Sequence, residues 1–452
     1  MTRAVNSKMA AIMVAGDIVA YLFSLILMIS VRYALIPGRS LILTHLQSFG
    51  ILFILFAIVN LAVGLYDKPT ISSKPRVPGL ILTAQALNVV IGIAYFYLVP
   101  SIITPKTSLA FYFIVSTAAM YIWRLAVLPV ISSQRKQPAI LIGKGGDIDD
   151  LRNELDTNSS YGLFFKEVIA PNGSSDDLVS ELEKAASGSE PVVVVADFHD
   201  KTVESIMPRL YKLIFSGVQV IDASKLYETV FGRIPMSMLG EKWFVENSAE
   251  AFGSRTVYDF LKRTMDIVIA GTIGLISLII YPFVVLAIKA EDGGSVFVTQ
   301  MRVGKNGRTI RVRKFRSMTS DDNGAYGRDG KTRNVVTKVG RFIRLTRIDE
   351  LPQLWSVVNG DQSLIGPRPE LPALVEVYSK QIPYYDSRHL IKPGLSGWAQ
   401  IYHRAHPHHA VAIDDTRDKL SYDLFYVKNR SLMLDVSIAL QTARAVVSRQ
   451  GV

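Results

Sequence analysis

Residues 341–370 read RFIRLTRIDELPQLWSVVNGDQSLIGPRPE. Arg341, Arg344 and Arg347 lead into the adjacent acids Asp349 and Glu350. Leu351, Leu354, Trp355 and Val358 then recur at the i, i+3, i+4, i+7 spacing of an amphipathic helix. That pattern predicts a helix starting near Asp349, with Asp349 in the N-cap region and Pro352 tolerated in a first turn whose donors are unpaired anyway. The helix dipole and the arginines favour an ionised Asp349. An ionised, oriented carboxylate can attack phosphorus, and its neighbour can hold a divalent metal through hard oxygens. An acid pair ahead of a helix is more often a cap alone, so both readings stand at this point. Gly366-Pro367-Arg368-Pro369 closes the stretch and fixes the backbone of Arg368 with a ring on either side. This preorganises a bidentate phosphate clamp or, in the plainer reading, makes a turn with an exposed arginine.

Upstream of this stretch the chain reads as a membrane protein. Its 452 residues leave room for about three domains, and 49% of them are hydrophobic. The formal charge of +11 suits phosphate-rich ligands or an anionic membrane leaflet, and no nucleic-acid partner is expected. With no cysteine, disulfides, thiol nucleophiles and cysteine metal sites are excluded. Four apolar runs, at 9–31, 46–65, 80–99 and 109–130, each approach the ~20 residues a bilayer requires. The first is too long for a signal-peptide core and reads as a retained anchor. Arg3, Lys8, Lys68, Lys74, Arg76, Arg135 and Lys136 flank one side, against Arg32, Arg39 and Lys106 on the other, so both ends of this bundle are expected in the cytoplasm. Asp17 and Arg124 are the charges inside the runs; the first reads as a satisfied polar contact, the second as a side chain snorkelling to the interface.

From Pro138 apolar strands alternate with polar helices, which predicts a Rossmann-like α/β domain with a parallel sheet. Gly143-Lys144-Gly145-Gly146 matches the dinucleotide fingerprint only in part, because Ile148 stands where the last glycine belongs. A tight turn without a nucleotide is the preferred reading. The expected domains are therefore a four-helix transmembrane domain at 1–137, the α/β domain at 138–245, a connector at 246–259 and a mixed α/β domain at 260–452. The last opens with an apolar run whose Pro282 breaks the helix and whose flanks are both basic, which predicts a re-entrant hairpin over 263–289 that enters and leaves by one face. Next comes a basic two-stranded ribbon turned at Lys305-Asn306-Gly307, delivering Lys314 and Arg316 to a Gly- and Asp-rich loop. Tyr378, Tyr384, Tyr385, Trp398 and Tyr402 suit an interfacial aromatic belt. His403, His406, His408 and His409 read as a solvated loop rather than a transition-metal site.

In their order, KRTMDIVIA, QMRVGKNG, RKFRSM, RIDELPQLWSVVNGDQSLIGPRPE, RHLIKPGLSGWAQI and YDLFYVKNRSLMLDVSIALQT resemble the catalytic domain of bacterial polyprenyl-phosphate hexose-1-phosphate transferases, the large monotopic phosphoglycosyl transferases of the bacterial sugar transferase family. The resemblance implies transfer of a sugar 1-phosphate from a nucleoside diphosphate sugar, a UDP-sugar, to undecaprenyl phosphate, releasing UMP and starting glycan assembly at the cytoplasmic face of the bacterial inner membrane. It implies Asp349 as the nucleophile of a covalent phosphosugar intermediate and Glu350 as a Mg2+ ligand beside it. Lys314, Arg316, Arg344, Arg368 and Arg404 match basic family positions that face phosphates. Two departures stand out: Tyr281 occupies the position before the hairpin proline where the family commonly has serine, and His403 replaces the glycine before Arg404. A homodimer is left open.

A membrane-anchored nucleotide-sugar dehydratase would need a complete glycine fingerprint and a Tyr-Lys pair in an α/β core. The one tempting pair, Tyr258 and Lys262, lies at the mouth of the hairpin. A non-enzymatic membrane sensor would leave residues 341–370 without a role.

Overall fold

The computed structural model describes residues 7–63, 65–66, 77–99, 106–127, 137–157, 163–172, 174–186, 193–248, 253, 255–319, 335–403 and 412–447. Two compact units emerge. One comprises Met1–Lys144, Ile148–Ala196 and Ser205–Ile221, the other Gly145–Asp147, Asp197–Glu204 and Asp222–Val452.

In the first unit, the segments Ala11–Tyr33, Arg39–Leu61, Val77–Leu98 and Ser108–Val127 are helices long and apolar enough to cross a membrane. They are apolar all round, as such helices must be. Tyr21, Phe49, Phe56 and Tyr112 fill the inside, while Ile54, Ile58, Val90 and Ile114 face outward. Arg124 does not snorkel. It lies in a π-helical turn, Trp123–Val127, and is buried against Asp17. Its Nε and Nη2 donate to the two Asp17 oxygens at 3.0 and 2.6 Å, and its Nη1 to the Leu65 carbonyl at 2.9 Å. Tyr66 and Asn60 also donate to Asp17, at 2.8 and 3.2 Å. The reason is energetic: inside a bundle, two opposite charges that satisfy each other avoid the cost of leaving either alone in an apolar medium. Asp17 is thus the satisfied contact expected of it.

The same unit carries a parallel sheet in the order β2-β1-β3-β4, from strands β1 (Gln137–Ile142), β2 (Leu163–Ile169), β3 (Val193–Ala196) and β4 (Gln219–Asp222). Gln137 registers with Leu163 on one side of β1, and Ala139 with Val193 on the other. Strands buried on both faces need uninterrupted apolar runs, and Ala139–Ile142 and Val193–Ala196 supply them. The helical stretch after β3 forms as two pieces, Lys201–Ser205 and Met207–Phe215, because Pro208 opens a new first turn.

In the second unit, Asp222 caps the helix Ala223–Phe231 by accepting from the Ser224 amide, and Gly232 ends it at φ 63°. Ile234 and Trp243, which follow, share one core with Tyr378, Ile382, Tyr385, Leu420 and Leu424. Polar bonds reinforce it: Lys428 Nζ donates to both oxygens of Glu228 at 2.8 and 2.9 Å, and the Trp398 indole donates to the Gly232 carbonyl at 2.7 Å. Tyr378, Tyr385 and Trp398 are therefore core residues and not an interfacial belt; Tyr384 alone of that set is exposed. Packing against Trp243 and the helix Ile413–Asn429 outweighs the preference of such rings for an interface.

The apolar run ahead of the site forms two helices, Thr256–Ser277 and Tyr281–Asp292, bent by 56° across the break. Pro282 lies in the first turn of the second helix, where its missing donor costs nothing. Strands β5 (Phe297–Val303) and β6 (Thr309–Phe315) form the expected antiparallel ribbon. Its turn places Asn306 at φ 56° and Gly307 at φ 74°, the left-handed pair that Asn-Gly accommodates with little strain. The Tyr281 ring packs on Phe315 with centroids 4.8 Å apart, fastening the ribbon to the bend.

Candidate active site

The acid pair sits in a 3-10 turn, Ile348–Gln353, and the α-helix begins only at Leu354. Asp349 is therefore not its N-cap. Arg347, at φ 57°, turns the chain out of the preceding helix Lys338–Leu345, and Pro352 lacks the N–H that an α-type bond back to Ile348 would need. The short helix Leu354–Asn359 rests on the first hairpin helix: Leu354 and Val357 share a core with Ala270, and a side chain at Gly274 would meet Trp355 at 3.6 Å. This packing sets the acids beside the apolar hairpin.

Glu350 gathers the cations. Its Oε1 accepts from Lys314 Nζ at 3.1 Å and Arg368 Nη2 at 2.9 Å, with Arg347 Nη1 at 3.8 Å. Burial alone would raise its pKa, but Lys314, Arg368 and Arg347 outweigh burial and hold the carboxyl well below its usual range. For Lys314 the balance is opposite: burial pushes its pKa down, and the Glu350 charge recovers only part of the loss.

Asp349 behaves differently from the expectation of a firmly ionised acid. Burial, then the adjacent Glu350 charge, raises it to about 6 despite the opposing pull of Lys314, Arg344 and Arg347. Its Oδ1 is buried without a hydrogen-bond partner. A carboxylate that is desolvated, unpaired on one oxygen and surrounded by cations is poorly suited to capping and is a candidate functional group. Two adjacent acids, one with a free buried oxygen, also match the sparse carboxylate ligation by which Mg2+ sits on nucleotide phosphates. Among the described residues no group of three or more acids or histidines is arranged to hold a metal by itself.

Lys314, Arg347 and Arg368 converge on this centre, and the Arg344 charge reaches Asp349. Arg316 does not join them. It pairs with Asp292 at the end of the second hairpin helix, its Nη1 at 2.8 Å from Oδ2, and lies over Gly294, where any side chain would collide with it. Arg404, His406, His408, His409 and the loop residues 320–334 lie outside the described residues. His403 is buried with Nδ1 unpartnered, unlike the solvated loop expected there. Tyr258 and Lys262 both bond Asp435, at 2.9 Å each, and so lock the hairpin to the helix Leu432–Val447.

Sequence reasoning passed over several residues that shape the centre. Arg263 donates to the Val357 and Val358 carbonyls at 2.6 and 2.7 Å, capping the helix that follows the acids. Asp266 accepts from the Leu364 amide at 3.1 Å. Arg388 holds the backbone of Arg368 from behind. Arg263 is visible in the sequence as a basic flank of the hairpin, though not as a cap; nothing local marks Arg388.

A carboxylate pair amid converging cations, beside a bent apolar helix pair, has the charge pattern that phosphate groups call for, in a chain with four helices apolar enough to cross a membrane. Residues 257–449 match the profile of the family described as bacterial sugar transferase. A UDP-N-acetylgalactosamine-undecaprenyl-phosphate N-acetylgalactosaminephosphotransferase of Aeromonas hydrophila is 41% identical over 263 residues, covering 57% of this chain and 59% of that protein. A UDP-glucose:undecaprenyl-phosphate glucose-1-phosphate transferase of Caulobacter vibrioides is 35% identical over 197 residues, covering 43% of this chain and 72% of the relative. An undecaprenyl-phosphate glucose phosphotransferase of Komagataeibacter xylinus is 29% identical over 342 residues, covering 71% and 61%. The chain belongs to the bacterial sugar transferase family.

Proposed function

We propose that this protein transfers a sugar 1-phosphate from a UDP-sugar to undecaprenyl phosphate in two displacements at Asp349. The observation that carries the reading is the contrast within the acid pair: Glu350 Oε1 is committed to Lys314 and Arg368, whereas Asp349 Oδ1 has no partner. In the first displacement an Asp349 oxygen attacks the phosphorus that bears the sugar, the bond to the bridging oxygen breaks, and UMP leaves with that oxygen. In the second, a phosphate oxygen of undecaprenyl phosphate attacks the same phosphorus and Asp349 departs as a carboxylate. Lys314, Arg347 and Arg368 neutralise the phosphoryl oxygens, and holding them on Glu350 beforehand avoids reorganisation during reaction. Mg2+, bound through Asp349 and Glu350, would add charge neutralisation of the diphosphate when present.

The reading includes a membrane placement. A transmembrane domain over residues 1–137 and a Rossmann-like domain from residue 138 precede the catalytic domain, whose core takes in the stretch from Asp222 that the expected boundaries at 138–245, 246–259 and 260–452 place elsewhere, with the bent helix pair re-entrant and the centre at the cytoplasmic face of the inner membrane. The basic residues on both flanks of the pair support this. So does Asp147 for a Rossmann-like domain without nucleotide: its carboxylate, at the helix start where a phosphate would bind, accepts instead from the Ser237 amide and hydroxyl at 2.8 and 2.7 Å. Labelling from outside intact cells of a cysteine introduced after Lys289 would overturn the re-entrant arrangement. For the reaction, purified protein in detergent with Mg2+, undecaprenyl phosphate and a panel of UDP-sugars is expected to release UMP with one or few sugars. Release from none, or full activity in Asp349→Asn, would overturn it. Relatives named for N-acetylgalactosamine, galactose and glucose make the panel the step that assigns the sugar.

A further inference from the structure

We propose that Arg388, anchored by Asp423, is the positioning residue of the Arg368 clamp. The inference rests on the transfer reading above and adds to it the device that fixes the clamp before substrate arrives.

Arg368 stands between two prolines, neither of which has a backbone N–H. The segment 366–370 therefore cannot be held as an ordinary strand, and its orientation depends on what its carbonyls accept. Those of residues 367–370 are each gripped from another element. Gly394 N–H donates to the Pro367 carbonyl at 2.9 Å, Arg302 Nη1 to that of Pro369 at 3.3 Å, and Val303 N–H to that of Glu370 at 2.9 Å. The bond that lands on Arg368 itself comes from Arg388 Nη2 at 2.9 Å.

Arg388 is built for that one direction. It lies buried in the 3-10 turn Tyr385–Leu390. Asp423 Oδ2 takes Nε at 3.0 Å and Nη2 at 2.7 Å, and the Tyr385 hydroxyl takes Nη1 at 2.9 Å. A planar fork tied at Nε, at Nη1 and at one N–H of Nη2 can point the other Nη2 N–H one way only. A buried guanidinium–carboxylate pair adds little net stability over apolar residues of similar size. It can, however, hold a carbonyl in place, which apolar residues cannot. Asp423 and Lys419, one turn apart on the helix Ile413–Asn429, grip the same segment, Lys419 by pairing with the Glu370 carboxylate. Glu370 is accordingly held down at about 2: burial would raise it, and Lys419 and Arg388 more than compensate. The helix thus acts as a jig for the clamp.

The test uses the full chain. In Arg388→Met with Asp423→Leu, apolar side chains replace the pair so that neither charge is left stranded; Arg388→Lys keeps a cation beside Asp423 but loses the fork. Should the double variant not fold, the lysine variant decides alone. In both, hydrogen exchange of residues 363–372 is expected to accelerate while residues 137–157 stay unchanged, and KM for the UDP-sugar to rise about tenfold. Arg368→Lys, costly in the parent, is expected to add less than about twofold on either background, since an unpositioned clamp has little left to lose. Unchanged exchange at 363–372, or full additivity with Arg368→Lys, overturns the proposal. If the parent releases no UMP with any UDP-sugar, the transfer reading fails, and the exchange measurement still decides the positioning role.

Discussion

The protein buries acids among cations in two places, and it treats them in opposite ways. In the apolar bundle, each nitrogen of the Arg124 guanidinium has an acceptor, and both Asp17 oxygens receive donors. At the centre beside the hairpin, Glu350 Oε1 is likewise held by Lys314 and Arg368, but its neighbour Asp349 keeps one buried oxygen unpaired and a pKa raised to about 6. A closed pair of this kind joins its helices and leaves no carboxylate oxygen free. An open one costs stability and leaves a group able to react.

The largest effect expected from this contrast is at the open site. Asp349→Asn should reduce UMP release by at least ~10⁴-fold, the scale of losing a nucleophile. The same variant should be the more stable protein at neutral pH. The sign follows from the shift: a carboxyl whose folded value, about 6, exceeds its ordinary 3.8 favours the folded state at low pH, and that contribution is lost as pH rises through about 6. Thermal melts at pH 8 compared with pH 5 would check it; a less stable asparagine variant at pH 8 would break the comparison. At the closed site Arg124→Met should cost roughly 3–5 kcal/mol by stranding Asp17, while Asp17→Leu with Arg124→Met should recover most of it. Activity per folded molecule should not change, as detergent melts and UMP release on the same sample would reveal. Glu350→Gln should release the cations and lower kcat/KM about a hundredfold, measured in the same assay. Below about pH 6 the parent's rate should fall roughly tenfold per unit as Asp349 takes up a proton, giving an acid limb that Glu350, held far lower, does not add to. Smallest of all, Arg316→Gln should leave KM for the UDP-sugar unchanged, since Arg316 pairs with Asp292 and not with the acid pair.

How much of this was legible in the chain follows from the range of each interaction. The four apolar runs, the Asn-Gly turn and the strand–helix alternation are local patterns, and they came out close to where periodicity put them. Asp349 as a site residue came from ordered motifs around it, while its conformation was misjudged because a proline three residues on decides between 3-10 and α. Its ionisation was misjudged for another reason: the arginines are visible in sequence, but the burial that outweighs them is not. Arg124 and Asp17 are 107 positions apart, so nothing in either neighbourhood announces the pair. Arg316 shares a strand end with Lys314 but faces Asp292, which only the fold brings near.

Residues 222–247 lie outside the stretch the family profile matches, 257–449, yet they complete its core. A domain exchange cut at residue 257 would leave the Trp398 indole and the Lys428 ammonium buried without the Gly232 carbonyl and the Glu228 carboxylate. It would also strip Trp243 from the core that backs Tyr385, the hydroxyl on which Arg388 leans. For anyone recombining such enzymes to change the sugar they handle, the transplantable piece is longer than the stretch the family profile matches, and the graft should begin no later than Asp222.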